Sequence, residues 1–476
     1  MSENMNKIIE KIKNDEIINL IKSHPEQAKI FLVGGVFRDF YLNKDNFDKD
    51  IVVFNSDAED FAKKLAKSIH ATFIPLDEEN KIYRLVLKDK INCIDIASPT
   101  GETIEDDLKR RDLTINAVAI NLDSLEIIDV TGGIEDLKSK KIRHICEQNF
   151  VDDPLRLLRA FRFEAMLGFE IDSELTQIIK RHVKKIHECA IERINYEFLK
   201  LLSGNYSAQT LINMAETTML SELYPIVEEL KKIPPNLHHH LDLFSHSIEV
   251  VNQIQEIYEK SNPQVQEHLN RTDFGGATRL AHLKLGGLLH DIGKPSTWTV
   301  EDETGRHRFI KHDDIGAKMS EKMLKHAKFS KKQIEYISKM IKHHIYPSHV
   351  VHAPELSEKI YMRFVRKMEN EAIDVIILAM ADRLSARGVE ITDEIVEKNI
   401  NNLQLLLDFY LNIKDNLKPL PKLLSGEEIM DILSLKPSPE LGKVVKLLHE
   451  AQLAGDITDK EEATAFMSAI KNNPTP

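Results

Sequence analysis

The stretch at 31–54, FLVGGVFRDFYLNKDNFDKDIVVF, constrains the chain more than any other. An apolar run that reads as a strand ends at Gly34 and Gly35. A short segment carrying Arg38 and Asp39 reads as a helix, and a second strand begins at Asp48 and Asp50 and continues into IVVF. In a strand, glycine turn and helix, backbone N–H groups can approach a triphosphate, because glycine has no Cβ to hold the anion off, and Arg38 adds positive potential. Asp48 and Asp50 stand two apart, so on a strand both leave the same face, where their oxygens can grip hard divalent cations. Alternating acids on a strand more often face solvent. Here they lead straight into an apolar run, which puts them at the mouth of a strand entering the core.

Asp95 lies between Ile94 and Ile96 in INCIDIA, which reads as a neighbouring strand. A carboxylate there is costly unless it coordinates or pairs. Asp48, Asp50 and Asp95 together could hold two Mg²⁺ ions, one lowering the pKa of an attacking 3′-hydroxyl and one bridging the phosphates and the leaving pyrophosphate. The predicted chemistry is nucleotidyl transfer. Further motifs follow in order: RRDLTINAVAI at 110–120, DVTGGIEDL at 129–137, DDPLRLLRAFRF at 152–163 and ERINYEFLKLL at 192–202. With the first stretch, they resemble the ordered motif set of the class II CCA-adding enzymes and bacterial poly(A) polymerases, in the polymerase-β-like nucleotidyltransferase superfamily. The departures are Phe37 where Val is usual, Asn43 where Gly is usual, Leu113 for Phe and Asp152 for Glu, and none removes a metal or phosphate ligand. The resemblance implies a tRNA 3′ end as acceptor, CTP and/or ATP as donors, and Arg111, Arg159 and Arg162 among the phosphate-binding residues.

Asp153 and Arg156, three apart at the start of a predicted helix, can bring their tips together on one face. Cytosine and adenine both present a donating exocyclic amine beside an accepting ring nitrogen, and a carboxylate next to a guanidinium matches that pair. Uracil and guanine present the reverse order and would leave buried polar groups unpaired, a discrimination of about 10⁴. The competing reading is a capping aspartate in an ordinary i,i+3 salt bridge.

Of the twenty histidines, fourteen fall between 238 and 352, which sets this stretch apart from the rest of the chain. His246, His290, Asp291 and Asp382 come from separate predicted helices, the way a helical bundle builds a metal site in its core, and His312 with His343 or His344 could complete a second metal. The segment GGLLHDIGKP and its partners resemble an HD-superfamily phosphohydrolase domain. The resemblance implies a divalent metal (Mn, Ni, Fe or Mg) activating water against a phosphate ester, such as a 2′,3′-cyclic or terminal phosphate on damaged RNA.

The expected fold class is α+β: a polymerase-β-like nucleotidyltransferase head on a mixed sheet, then an all-α neck and body, an HD helical domain and a helical tail. The expected boundaries are an N-terminal helical segment at 1–28, the head at 29–145, the neck and body at 146–235, the HD domain at 236–400 and the tail at 401–476. The tail carries two capping-box signatures, Ser425 to Glu428 and Thr458 to Glu461. A net charge of −12 excludes a protein that coats nucleic acid through a general basic field, so an RNA substrate needs local patches such as Lys109 to Arg111, Lys138 to Arg143 or Lys180 to Lys185. No signal peptide or membrane-length apolar run is present, and the three cysteines lack metal-site spacing, so a cytoplasmic protein with buried free thiols is expected. The sequence leaves open the oligomeric state and whether the product is CCA, CC, a single A or poly(A). A different class of function, an HD phosphohydrolase whose head only binds RNA, stands as the alternative.

Overall fold

In the first of two units, Met1–Pro225, the run KIFLV forms β1 (Lys29–Val33), four of its five residues buried because it is the inner strand of the head sheet. The structure, a computed structural model, describes residues 3–23, 28–236, 240–353, 357–388, 390–417 and 420–472. Around β1 lie β2 (Asp48–Phe54), β3 (Thr72–Asp77), β4 (Ile82–Val86), β5 (Cys93–Ala97), β6 (Val118–Asn121) and β7 (Ile127–Asp129), in the order β3-β4-β5-β2-β1-β6-β7. All neighbours are antiparallel except β2 and β5, so the sheet is mixed as expected. One face is closed by a core containing Phe31, Val33, Val52, Leu108 and Ala119. Thr103 and Asp106 form a capping box that starts the helix Ile104–Lys109, whose Leu108 plugs this core.

The helices Glu3–Asn14 and Glu16–Lys22 precede the sheet. The first packs on the helix Gly35–Tyr41, and Asp15 between them reaches Lys49 at 3.1 Å. After the head, the helix Leu155–Leu167 ends at Gly168 (φ 67°), the left-handed position that stops a helix without steric cost, and packs against the helix Ile191–Leu202.

The second unit, Ile226–Pro476, is helical. The helix Leu243–Lys260 packs on Arg279–Leu289 and on Ala372–Ser385, an apolar helix whose first ten positions are all buried and, apart from Asp374, all hydrophobic, while His312–His326 packs on Lys331–His343. The three tail helices, Gly426–Leu433, Pro439–Ala454 and Lys460–Asn472, share a small core of Leu424, Ile429, Leu448, Ala463 and Met467.

Several expectations need correction. The segments expected to be helical carry two short strand pairings: Trp298–Val300 and His307–Phe309 form an antiparallel hairpin, and Lys141–Ile142 at the end of the head pairs with Glu170–Ile171. Ser425 and Glu428 make the expected capping box, but the second one is shifted by a residue. Asp459, not Thr458, accepts from the backbone N–H of Glu462, whose side chain reaches back to Thr458. All three cysteines are free, yet none is buried, and Cys146 is exposed. Among the described residues no helix is long and apolar enough to cross a membrane.

Candidate active site and metal centre

Parallel pairing of β2 with β5 sets Asp50 directly opposite Asp95, with Asp48 one step out on the same face. The strand alternation that points these acids to one side sends Lys49 to the other, where it is 1% exposed. Burial, with the adjacent charges of Asp95 and Asp48, pushes Asp50 up to about 6. Asp48 is exposed and Asp50 and Asp95 are half-buried, and the mutual repulsion of three carboxylates crowded on one face is what a divalent cation relieves. Gly34 (φ 69°) passes so close that a Cβ there would lie 2.3 Å from Asp50 Oδ2, so glycine is required both for the backbone turn and for the approach to the acid. Asp95 is also gripped by Arg84, its cross-strand neighbour on β4, through two hydrogen bonds of 2.7 Å.

These residues open onto a cavity of about 460 Å³ whose walls bring together Gly34, Gly35, Arg38, Arg111, Arg159 and Arg162 with the three carboxylates. The arginines are held from behind. Phe163 is the hub: the guanidinium carbons of Arg162, Arg38 and Arg159 stand 4.3, 4.9 and 5.8 Å from its ring centre. Arg38 donates to Asn116 Oδ1 at 2.5 Å and to Asp39, while Arg159 Nε donates to Asp112 Oδ2 at 2.7 Å. Burial alone would raise Asp112, but the charge and hydrogen bond of Arg159 outweigh it and hold this carboxyl far below its ordinary range. Arg162 lies 3.3 Å from buried Glu197, and Arg110 and Arg111 both pair with fully buried Asp107. A row of cations facing a pair of strand carboxylates suits a polyphosphate with its metal ions.

Asp153 and Arg156 do not line this cavity. Asp153 ends the helix Glu147–Asp152 instead of opening the next one, and Pro154 intervenes before Leu155–Leu167. Its carboxylate lies 3.8 Å from Arg156 Nε and 3.5 Å from Arg193, while Arg156 also donates to the carbonyl of Arg110 at 2.7 Å. The pair therefore stands side by side, tied to the chain segment that carries Arg111. The sequence reading missed Arg84, Asp112, Asn116, Phe163 and Glu197. Asp112 and Asn116 lay inside RRDLTINAVAI, Phe163 closed DDPLRLLRAFRF, and Glu197 stood in the middle of ERINYEFLKLL.

In the second unit, His246, His290, Asp291, His312, His344 and Asp382 converge, forming three overlapping groups of potential ligand atoms within 4.8 Å of one another. His246 Nε2 is 3.1 Å from Asp382 Oδ1, His290 Nε2 is 3.1 Å from Asp291 Oδ2, and His312 Nε2 is 3.3 Å from Asp291 Oδ1. Nδ1 of His290, His312 and His344 faces the carbonyls of Gly287, Phe309 and Ile341 at 2.7, 2.8 and 2.6 Å. A carbonyl can only accept, so Nδ1 carries the proton and Nε2 presents its lone pair to the centre, as metal ligation requires. His290 Nε2 and both oxygens of Asp291 are buried without a well-angled hydrogen bond, so the donor set fits a divalent ion. The cluster takes His344 and leaves out His343. Adjacent helical residues point about 100° apart, and His343 turns toward Tyr346, where burial and Lys367 push it down to about 4. Gly293 is needed behind the cluster, since a Cβ there would meet the His312 carbonyl at 2.1 Å.

Comparison with known proteins fits this geometry. A family model described as the poly A polymerase head domain matches residues 30–143, one described as a probable RNA and SrmB-binding site of polymerase A matches 168–231, and one described as the HD domain matches 243–387. The chain is 29% identical to an A-adding tRNA nucleotidyltransferase of Deinococcus radiodurans, covering 92% of this chain and 94% of that protein. It is also 29% identical to a CC-adding tRNA nucleotidyltransferase of Thermus thermophilus, covering 92% of each. A solved structure of the Thermotoga maritima CCA-adding enzyme complexed with tRNA shares the fold, with a TM-score of 0.57 at 23% identity over 98% of both chains. The head and HD matches, with the His/Asp cluster, imply divalent-metal binding.

Proposed function

We propose, because the chain belongs to the nucleotidyltransferase family in which a poly A polymerase head is joined to an HD domain, that it adds C and/or A from CTP or ATP to the 3′ end of tRNA, without a template and with release of pyrophosphate. The observation that carries this reading is Asp50 opposite Asp95 on parallel strands, with Asp48 beside them, facing a wall of arginines across one cavity. Mg²⁺ held by Asp48 and Asp50 would supply the charge that activates the 3′-hydroxyl and steadies the leaving pyrophosphate. Gly34 lets the backbone lie against Asp50. Arg38, Arg111, Arg159 and Arg162 orient and neutralise the triphosphate, and Phe163, Asp112 and Glu197 keep those guanidinium groups from collapsing onto the carboxylates. Asp153 and Arg156 read the Watson–Crick edge of the incoming base, a role supported by their side-by-side placement next to the Arg110 carbonyl. The reaction belongs in the cytoplasm.

The test is incorporation of labelled CTP or ATP, with Mg²⁺, into three tRNAs that end before CCA, after CC, or complete. C on the first substrate alone marks a CC-adding enzyme, A on the second alone an A-adding enzyme, and both a CCA-adding enzyme. Repeated A on an unrelated RNA marks a poly(A) polymerase, and no incorporation of either nucleotide refutes the assignment. The His/Asp cluster favours a second activity in the same chain, metal-dependent hydrolysis of a phosphate ester, with His246, His290, Asp291, His312, His344 and Asp382 as the ligands.

A further inference from the structure

The hairpin Trp298–Val300 with His307–Phe309 is rooted at both ends in the His/Asp cluster. Trp298 directly follows the helical turn Lys294–Thr297, and Lys294 Nζ lies 2.6 Å from Asp291 Oδ2. Phe309 comes three residues before His312, whose Nδ1 donates to the Phe309 carbonyl at 2.8 Å. The pairing sets Trp298 opposite Phe309 and Val300 opposite His307, so all four side chains share one face, while Thr299 and Arg308 take the other. Ring contacts agree: Trp298 lies 5.5 Å from His307, and His307 lies 6.5 Å from Phe309. This face meets the cluster, because Lys294 Nζ stands 5.3 Å over the Phe309 ring.

A two-stranded hairpin has no core of its own to bury such a face in. Trp298 is 37% exposed, Val300 48% and neighbouring Ile310 68%. On the opposite face, Arg308 is neutralised by Glu301. Three aromatic rings in a row, beginning at a cation that touches a candidate metal ligand, offer stacking surface at one end and phosphate chemistry at the other. Planar heterocycles carrying a phosphate are the ligand class with both features.

We propose that this hairpin is the base-binding platform of the HD site, stacking the nucleobase of a nucleoside phosphate whose phosphate group sits at the His/Asp cluster. The inference rests on the reading of that cluster as a metal-dependent phosphohydrolase site, and it narrows the substrate from phosphate esters in general to those carrying a base. The nucleoside phosphate is either a free mononucleotide or the last residue of an RNA strand.

Trp298 is the only tryptophan in the chain, so its fluorescence reports this face directly. The full-length, Mg²⁺-loaded protein is titrated with adenosine 2′-, 3′- or 5′-phosphate, with a short oligoribonucleotide ending in a 3′-phosphate, and with β-glycerol phosphate. Saturable quenching by at least one base-bearing ligand and none by β-glycerol phosphate is expected, and the better of the mononucleotides or the oligonucleotide identifies the source. Hydrolysis of the same compounds is then compared in Trp298→Ala, Trp298→Tyr and His307→Ala. Loss of a stacked ring weakens base binding by about tenfold or more, so Trp298→Ala and His307→Ala should each raise KM for the best base-bearing ligand to that extent and leave β-glycerol phosphate within about twofold, whereas Trp298→Tyr, which keeps a ring at 298, should stay close to the unsubstituted protein. Equal effects on both compounds, or quenching that does not depend on a base, overturn the platform while leaving the metal-site reading intact. Quenching with no hydrolysis of any compound under Mg²⁺, Mn²⁺ or Ni²⁺ overturns the metal-site reading instead.

Discussion

Asp112→Asn tests whether the arginine wall is held in place from behind. The substitution keeps size and shape but removes the charge that faces Arg159 Nε at 2.7 Å, and it alters a group that also contacts the Leu113 amide at 2.8 Å and Asn116 at 3.3 Å. Removing one partner of a buried ion pair costs about 3–5 kcal/mol. Two features reduce that figure here: Arg159 keeps 32% of its side-chain surface exposed, and Glu197 stays within 3.8 Å as a second carboxylate. A loss of about 2 kcal/mol follows, which at an m-value of about 2 kcal/mol/M lowers the urea midpoint by about 1 M. The loss belongs to the first unit alone. Far-ultraviolet circular dichroism should therefore show an early transition moved to lower urea, while the fluorescence of Trp298, in the second unit, keeps its midpoint. A guanidinium freed from its anchor also orients the triphosphate poorly, so KM for the incorporated nucleotide should rise about tenfold. An unchanged dichroism midpoint, or a fluorescence midpoint shifted equally, would refute the reasoning.

Asp153→Ala should relax selectivity so that UTP and GTP incorporation rises at least tenfold relative to CTP or ATP in a competition assay; unchanged selectivity would assign base choice elsewhere. His344→Ala should lower the metal content of the purified protein, measured by elemental analysis, whereas His343→Ala should leave it unchanged, and neither should affect nucleotide addition. Glu164, 6% exposed, is pushed up by burial to about 7 from an ordinary 4.5, against the opposing hydrogen bond from Asn213. The folded state thus favours the protonated carboxyl, and the stability this group contributes is fully present below pH 4.5 and lost as pH rises to about 7. Glu164→Gln should flatten that slope and gain on the order of 1–3 kcal/mol at pH 8 by urea titration; equal slopes in the two proteins would contradict it.

Much of the head was readable because its signals are local. The glycine pair and the DKD alternation fix both the turn and the face of the acids within one short segment, and the mixed sheet follows from strands with continuous apolar runs such as IVVF. Edge strand β3 escaped notice because an edge buries little: only Phe73 and Asp77 are even half-buried, so TFIPLD carries no alternation. The hairpin at 298–309 escaped because its apolar face stays exposed and its strands are three residues long. Phe163 as a hub for three arginines is a tertiary fact, since Arg38 is 125 positions away in sequence and on another element. The choice between His343 and His344 depends on the rotation of one helix, which a pair of adjacent identical residues does not encode.

Lys49 gives the N-terminal helices a meaning that their position outside the sheet conceals. Its ammonium group lies beneath the very strand that displays Asp48 and Asp50, sealed from water and answered by Asp15 at 3.1 Å and the Asn46 carbonyl at 2.6 Å. A fragment cut to begin at the first strand would keep every catalytic group yet remove the one carboxylate, Asp15, that pairs with this buried cation, leaving it only the neutral oxygens of Asn46. For anyone excising a minimal polymerase from this chain, the workable cut therefore lies before Asp15, and Lys29 marks the start of the sheet without marking a place where the protein can be divided.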